Sequence, residues 1–168
     1  MAILNIEKLG AEVLRRRADE VVLSGEDPEL DRLIEDMFET MYDANGIGLA
    51  APQVGISRRL IVVHVNEEGE KPFALLNPHI VESGKAKEKG EEGCLSIPNM
   101  SAAVERPEAV TVEGQDAKGN TVRIEADGML ARCLQHEIDH LDGVLFIDRL
   151  SPLKRNMLLK KYRKQEAS

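Results

Sequence analysis

The stretch QHEIDH at residues 135–140 carries two imidazoles and a carboxylate at a spacing suited to metal-assisted hydrolysis. On a helix, positions i and i+4 share a face, so His136 and His140 can grip one ion. Glu137 lies about 100° further round and can reach water at that ion without ligating. Three protein ligands leave a fourth position for water, whose pKa the metal lowers toward about 7. Glu137 would take the proton from this water as it attacks a carbonyl and then pass it to a leaving amine. Two histidines are only two ligands, so the sequence must supply a third. The bland alternative is a solvated helix face that bears two histidines by chance.

The extended protease pattern H-E-x-x-H-x-x-G-x-x-H is met at Gly143 but broken at Phe146, where its third histidine would stand. Cys133 lies on the same helical face as His136. At 1.5 Å rise per residue, however, it is roughly 10.5 Å along the axis from His140, against metal–ligand bonds of about 2.0–2.3 Å. Cys133 therefore reads as a thiol packed beneath the site. Cys94, in EEGCLSIP, is the remaining cysteine; alone it would read as a small buried hydrophobe. The incomplete two-histidine site favours it as a ligand, with Asp148 the main competitor. Asp139 and Asp142 read either as acceptors that orient an imidazole or as the wet face of the helix. His64 and His79 read as strand and loop residues.

A second local pattern, GIGLAAPQ at residues 46–53, formally matches a dinucleotide-binding fingerprint through Gly46, Gly48 and Ala51. That reading requires a strand before it and a helix after it. Here a helix precedes it and Pro52 would disrupt the helix to follow. A glycine-rich turn into an extended segment, open to close approach by another backbone, fits better.

The elements that must hold these groups follow from periodicity. Leu30, Leu33, Ile34, Met37, Phe38 and Met41 recur at helical spacing, with Asp27 and Pro28 as N-cap and first turn, so residues 27–43 form a helix. Residues 58–65 read as a strand, followed by another near 73–81. Residues 103–125 read as two strands joined at QDAKGN. Residues 127–141 form a second helix capped by Asp127, with Met129, Leu130, Leu134, Ile138 and Leu141 as its apolar stripe. A short extended segment at VLFID leads to a third helix opened by Pro152. Strands in the middle with helices toward both ends predict an α+β fold of mostly antiparallel strands around a central metal-binding helix.

At 168 residues, the chain fits one catalytic domain, 1–168, whose residues 152–168 are a basic C-terminal helix. A hydrophobic content of 42% with 31% charged residues excludes a disordered chain. No apolar run nears the ~20 residues of a membrane span, and the N-terminal stretch lacks the apolar core of a secretory signal, so a cytoplasmic protein is expected. The net charge of −8 argues against a broad DNA-binding surface. The last helix is a local exception. Lys154, Arg155, Lys160, Lys161, Arg163 and Lys164 face a single acid, Glu166. That helix is either a solvated amphipathic tail or an electrostatic docking element.

With GIGLAAPQ, EGCLS and QHEIDH in this order, the sequence closely resembles the peptide deformylases, over almost the whole chain and including LSPLKR at the last helix. The resemblance implies a metallohydrolase that removes the formyl group from the N-terminal formyl-methionine of new polypeptides and releases formate. It implies Cys94, His136 and His140 as metal ligands and Glu137 as general acid/base, with metal-bound water or hydroxide as the attacking group. Gln53 and the backbone N–H of Leu95 would form, with the metal, an oxyanion hole. Gly46, Ile47 and Gly48 would line the peptide groove, pairing with substrate backbone as an added strand. Glu92, Gly93, Met129, Arg132 and Cys133 would also contribute to substrate binding. Fe²⁺ is the implied metal, with Zn²⁺, Ni²⁺ and Co²⁺ compatible with the donor set. The implied partners are N-formylmethionyl peptides and, through the basic helix, the ribosome, with no DNA or membrane partner.

Two positions depart from the family pattern. Gly10-Ala11-Glu12 stands where a D-P pair is common, and Arg132 stands where an apolar residue is common. If the Arg132 stem lines the pocket rim with its guanidinium in water, acidic second residues should be favoured. The residues alone leave two other readings open. A metalloprotease could use the same helix on internal peptide bonds, and a peptide-binding module could hold a structural metal; Gln53 and Glu137 argue against the module.

Overall fold

The computed structural model describes residues 2–168. Gly10, at φ 107°, turns the chain into a short 3-10 helix, Glu12–Arg15. Helix α1, Pro28–Asp43, begins as the sequence predicts: Asp27 accepts from the Leu30 amide at 3.1 Å and Pro28 fills the first turn. Strands β1 (Gly48–Ala50), β2 (Leu60–Val63) and β3 (Phe73–Ser83) follow. Between β1 and β2, Ala51–Val54 is a 3-10 turn, so no helix follows the glycines and the nucleotide-binding context is absent there. Strands β4 (Lys87–Cys94), β5 (Ile97–Pro107), β6 (Ala109–Gln115) and β7 (Thr121–Asp127) lead into α2 (Gly128–Leu141), a 3-10 turn at Phe146–Arg149 and α3 (Pro152–Glu166). Five strands pair antiparallel in the order β1-β2-β3-β6-β7, while β4 and β5 form a separate antiparallel ribbon. The α+β architecture with antiparallel sheets and three helices agrees with the expectation.

The uninterrupted apolar run of β2 is explained by a helix on each side of the sheet. Leu60 and Val62 pack with Leu30, Met37 and Met41 of α1. Ile61 and Val63 point the other way, to Leu134, Ile138 and Leu141 of α2. The central helix is thus pressed on the inner face of the sheet. The β4–β5 ribbon and the 146–149 turn close over its opposite side through Ile97, Val104 and Phe146.

Three local expectations are corrected. The charged stretch through residue 94 is strand β4, and the β4–β5 ribbon was not anticipated, because KEKGEEGC lacks apolar alternation on its solvated edge. Residues 146–149 are 3-10 rather than extended, with Asp148 accepting from the Leu145 amide at 2.9 Å. Asp127 does occupy the N-cap position of α2, as expected, though without a side-chain capping bond. The stripe expected on α2 holds at Leu134, Ile138 and Leu141 but fails at its first residue. Met129 is 44% exposed, whereas every residue from Cys133 to Leu141 is buried, including the polar ones. Among the described residues, no helix is long and apolar enough to cross a membrane.

Candidate metal centre and substrate cavity

Helix α2 presents His136 and His140 on one face, and the turn ending β4 brings Cys94 to them. Their ligand atoms all lie within 4.8 Å of one another, with Cys94 Sγ 3.4 Å from His140 Nε2. Tetrahedral sulfur and nitrogen ligands at ordinary zinc-type bond lengths stand roughly 3.5 Å apart, so the donors are already gathered at a metal's spacing. Asp148, the competing ligand, is engaged elsewhere. It accepts from Arg15 and from the Leu145 amide, and the burial that would raise its pKa is outweighed, leaving it lowered. Cys133 lies outside the cluster. Its thiol donates to the Ile47 carbonyl at 3.7 Å, and burial together with the Glu137 and Glu92 charges raises its pKa well above the usual thiol range.

The electrostatics of the cluster suit a cation. Burial would lower the pKa of His136, but hydrogen bonds to Cys94 and Glu92 and the charge of Glu137 reverse this and raise it to about 10. The surrounding groups therefore favour positive charge at this point. Burial and the proximity of His136 and Arg106 drive His140 well below the usual imidazole value, so it stays a neutral donor. Two buried polar atoms of these residues, Glu137 Oε1 and His140 Nδ1 (the ring nitrogen remote from Cys94), have no protein hydrogen-bond partner. With a cysteine sulfur and two imidazoles at hand and a carboxyl beside them, the donor set fits a divalent transition metal.

The residues that aim His136 lie further out, and sequence reasoning did not find their roles. Glu92 accepts from His136 Nδ1 at 2.9 Å, which leaves Nε2 facing the cluster. Its carboxylate is buried, yet its pKa is lowered to about 2, because hydrogen bonds from His136 and Arg106 outweigh desolvation. Arg106 donates twice to Glu92, at 2.6 and 2.9 Å, and once to Asp139 at 2.9 Å. Asp139 also accepts from Arg149 at 2.8 and 3.1 Å. Asp139 is therefore neither the wet face of the helix nor an imidazole acceptor. Asp142 pairs with Arg59 at 3.0 Å, again away from the imidazoles. His64, just past the end of β2, bonds Tyr42 on the surface, and His79 lies within β3 opposite Glu113 rather than in a loop; both are away from the cluster.

Gln53 is buried, with Oε1 accepting from the Ala50 amide at 3.0 Å. Its Nε2 points to Ser96 Oγ at 3.2 Å and Cys94 Sγ at 3.5 Å, so an amide donor faces the ligand cluster. Leu95 follows Cys94 in the turn between β4 and β5. Burial raises the Glu137 carboxyl to about 7, with Glu92 and Asp139 raising it further against His136 and Arg106. Gly48 leaves room for this carboxyl. A Cβ there would sit 2.6 Å from Glu137 Oε2 and 2.8 Å from Cys133 Sγ. Gly48→Ala is accordingly expected to displace Glu137 and lower kcat at least tenfold, at a stability cost of about 1–3 kcal/mol. Steady-state kinetics beside thermal melts would separate the two effects.

Beside the cluster, a cavity of about 230 Å³ is lined by Ile47, Glu91, Glu92, Gly93, Met129, Arg132, Cys133, His136 and Glu137. Of the residues expected to bind substrate, Gly46 and Gly48 do not line it. Gly46 packs on Leu95 and Met41, and Gly48 backs on Glu137. Glu91 was missed; its position beside Glu92 in a charged run offered no apolar or catalytic signal. Arg132 corrects another expectation. Its guanidinium is not in water but donates to Glu92 at 2.7 Å, to the Val104 carbonyl at 2.9 Å and to the Glu88 carbonyl at 2.9 Å. The basis for a preference for acidic second residues is removed.

Comparison with known proteins points the same way as this geometry. The family model for polypeptide deformylase matches residues 3–156. A peptide deformylase of Thermodesulfovibrio yellowstonii is 50% identical over 165 residues, covering 97% of this chain and 98% of that protein. The crystal structure of a peptide deformylase from Legionella pneumophila superposes with a TM-score of 0.91 at 47% identity, covering 99% of this chain and 96% of that one. That of the peptide deformylase from Ehrlichia chaffeensis in complex with actinonin gives 0.92 at 41% identity, with both chains covered completely.

Proposed function

This chain belongs to the polypeptide deformylase family, and we propose that it performs that family's reaction, hydrolysis of the formyl group from the N-terminal formyl-methionine of newly made polypeptides with release of formate. The observation that carries the reading is the cluster of a half-buried Cys94 with the buried His136 and His140, beside a carboxyl, Glu137, poised near neutrality. Cys94, His136 and His140 would hold the metal, Fe²⁺ being our assignment, with Zn²⁺, Ni²⁺ or Co²⁺ able to occupy the same donors. When bound, the metal supplies Lewis acidity that makes water nucleophilic near neutral pH.

The chain's own groups supply the rest. Glu137, with one oxygen free of partners, takes the proton of the attacking water and returns it to the departing amine of methionine. Gln53 Nε2 and the Leu95 N–H donate to the formyl oxygen as negative charge builds on it. Gln53→Leu should therefore cost about 10²–10³ in kcat with metal content unchanged, as measured by single-turnover kinetics and metal analysis. Glu92, fixed by Arg106, holds the tautomer of His136.

Strand β1 is the first in its sheet, so one of its edges is open for an extended peptide to add by backbone hydrogen bonds. Ile47, just before that strand, and Gly93 of β4 line the same cavity, which supports a peptide lying between the two strands with its methionine side chain in the cavity. We assign the enzyme to the cytoplasm, where new chains emerge. The single catalytic domain extends across 1–168, and α3 is its ribosome-docking element, with salt-dependent attraction between its basic face and ribosomal RNA. Truncation after Pro152 that left salt-sensitive ribosome binding intact would remove this last assignment. The activity itself is tested by mass spectrometry of formyl-Met-Ala-Ser after incubation with metal-loaded protein. Loss of the formyl group with the peptide intact is expected, whereas cleavage at an internal peptide bond would establish a protease instead.

A further inference from the structure

We propose that Arg132 sets the depth of the cavity receiving the first side chain of the substrate, and that position 90 is glycine to admit its guanidinium. The inference rests on the deformylase reading. A Cβ at Gly90 would lie 2.9 Å from Arg132 Cζ, 2.9 Å from Nε and 3.1 Å from Nη2. The backbone there lies outside the left-handed region, inside strand β4, so conformation does not require a glycine. Glycine within a strand weakens it unless something must approach closely. Here that something is a guanidinium.

Arg132 shares a face of α2 with Met129 at i−3 and His136 at i+4, and these three with the adjacent Cys133 line the cavity. A surface arginine would be a mobile wall. This one is tethered at three points, to Glu92, to Val104 of β5 and to Glu88 of β4, so it spans the ribbon and closes the cavity as a fixed plate. Glu92, shared with Arg106, draws the charged head of Arg132 away from the cavity, leaving the stem to face an unbranched apolar side chain. Because Glu92 gives one oxygen to Arg132 and the other to His136, the same carboxylate ties the wall to the imidazole. Withdrawing the guanidinium would open the space above Gly90. Adding a methyl at Gly90 would push the guanidinium toward the substrate.

The test compares kcat and KM for formyl-Met-Ala-Ser and formyl-Phe-Ala-Ser in metal-loaded wild type, Arg132→Met, Gly90→Ala and the double variant. Arg132→Met should raise the Phe/Met ratio of kcat/KM about tenfold, chiefly through a lower KM for the phenylalanine peptide. Gly90→Ala should raise KM for the methionine peptide severalfold. Combining the two should reverse that rise, the non-additivity expected of side chains in contact. If Arg132→Met does not fold, Arg132→Lys keeps the stem and loses the three-point tether, and should shift the same ratio in the same direction. A Phe/Met ratio within twofold of wild type in a folded variant, or additive effects in the double variant, would overturn the proposal while leaving deformylation standing. Wild type that releases formate from neither peptide would overturn the deformylase reading and this inference with it.

Discussion

Glu137→Gln is expected to lower kcat by about 10²–10⁴-fold while the protein keeps its metal. The substitution preserves volume beside Gly48, where contacts are tightest, and leaves Cys94, His136 and His140 untouched. What it removes is a carboxyl that burial holds at about 7 and whose Oε1 is free of protein partners. An amide cannot accept and return a proton. Formate release, measured beside metal content on the same preparation, distinguishes this from loss of the metal. A metal-replete variant within tenfold of wild type would show that another group carries the proton.

Arg106→Met is expected to cost about 3–5 kcal/mol of stability, the range for removing one partner from a buried ionic network. Arg106 is 4% exposed and binds both Glu92 and Asp139. Without it, Glu92 retains only Arg132 and His136, and Asp139 retains Arg149. Because Glu92 aims His136, metal affinity should fall as well, by about 10–100-fold. Urea unfolding and competitive chelation measure the two consequences. The network also predicts a direction with pH. The pKa of Glu92 is lowered from 4.5 to about 2, so its contribution is present above about 4.5 and fades as pH falls toward 2. Wild type should lose stability over that interval more steeply than Glu92→Gln. A Glu92→Gln variant with the same acid profile, or an Arg106→Met variant destabilised by less than about 1 kcal/mol, would contradict this role.

The parts of the molecule legible in the sequence are those where periodicity or spacing has a direct physical meaning. Asp27 and Pro28 announce α1, and the continuous apolar run of β2 announces a strand covered on both faces. The i, i+4 histidines and Cys94 do converge, and the helical-rise argument correctly kept Cys133 out of the ligand cluster. What escaped was carried by polar residues facing inward. Arg106 follows Met100 and Val104 on the buried side of β5, an alternation that would have turned it inward had the strand been recognised. Its partner strand, β4, is lysine- and glutamate-rich and half of a two-stranded ribbon, so no hydrophobic period marked it. Asp139 looked solvated because carboxylates usually are. Only the arrival of Arg106 and Arg149 makes its burial affordable. Arg132 failed for the same reason, since Glu92 and two carbonyls come from segments distant in sequence.

The account stands most directly on a metal titration of activity. Chelator-stripped wild-type protein would be titrated with Fe²⁺ under anaerobic conditions while formate release from formyl-Met-Ala-Ser is followed. Activity is expected to be near zero at the start, to rise linearly and to break at one equivalent per chain, with Cys94→Ser giving no comparable rise. Full activity in the stripped protein, or no formate at any loading, would contradict a deformylase built on Cys94, His136 and His140.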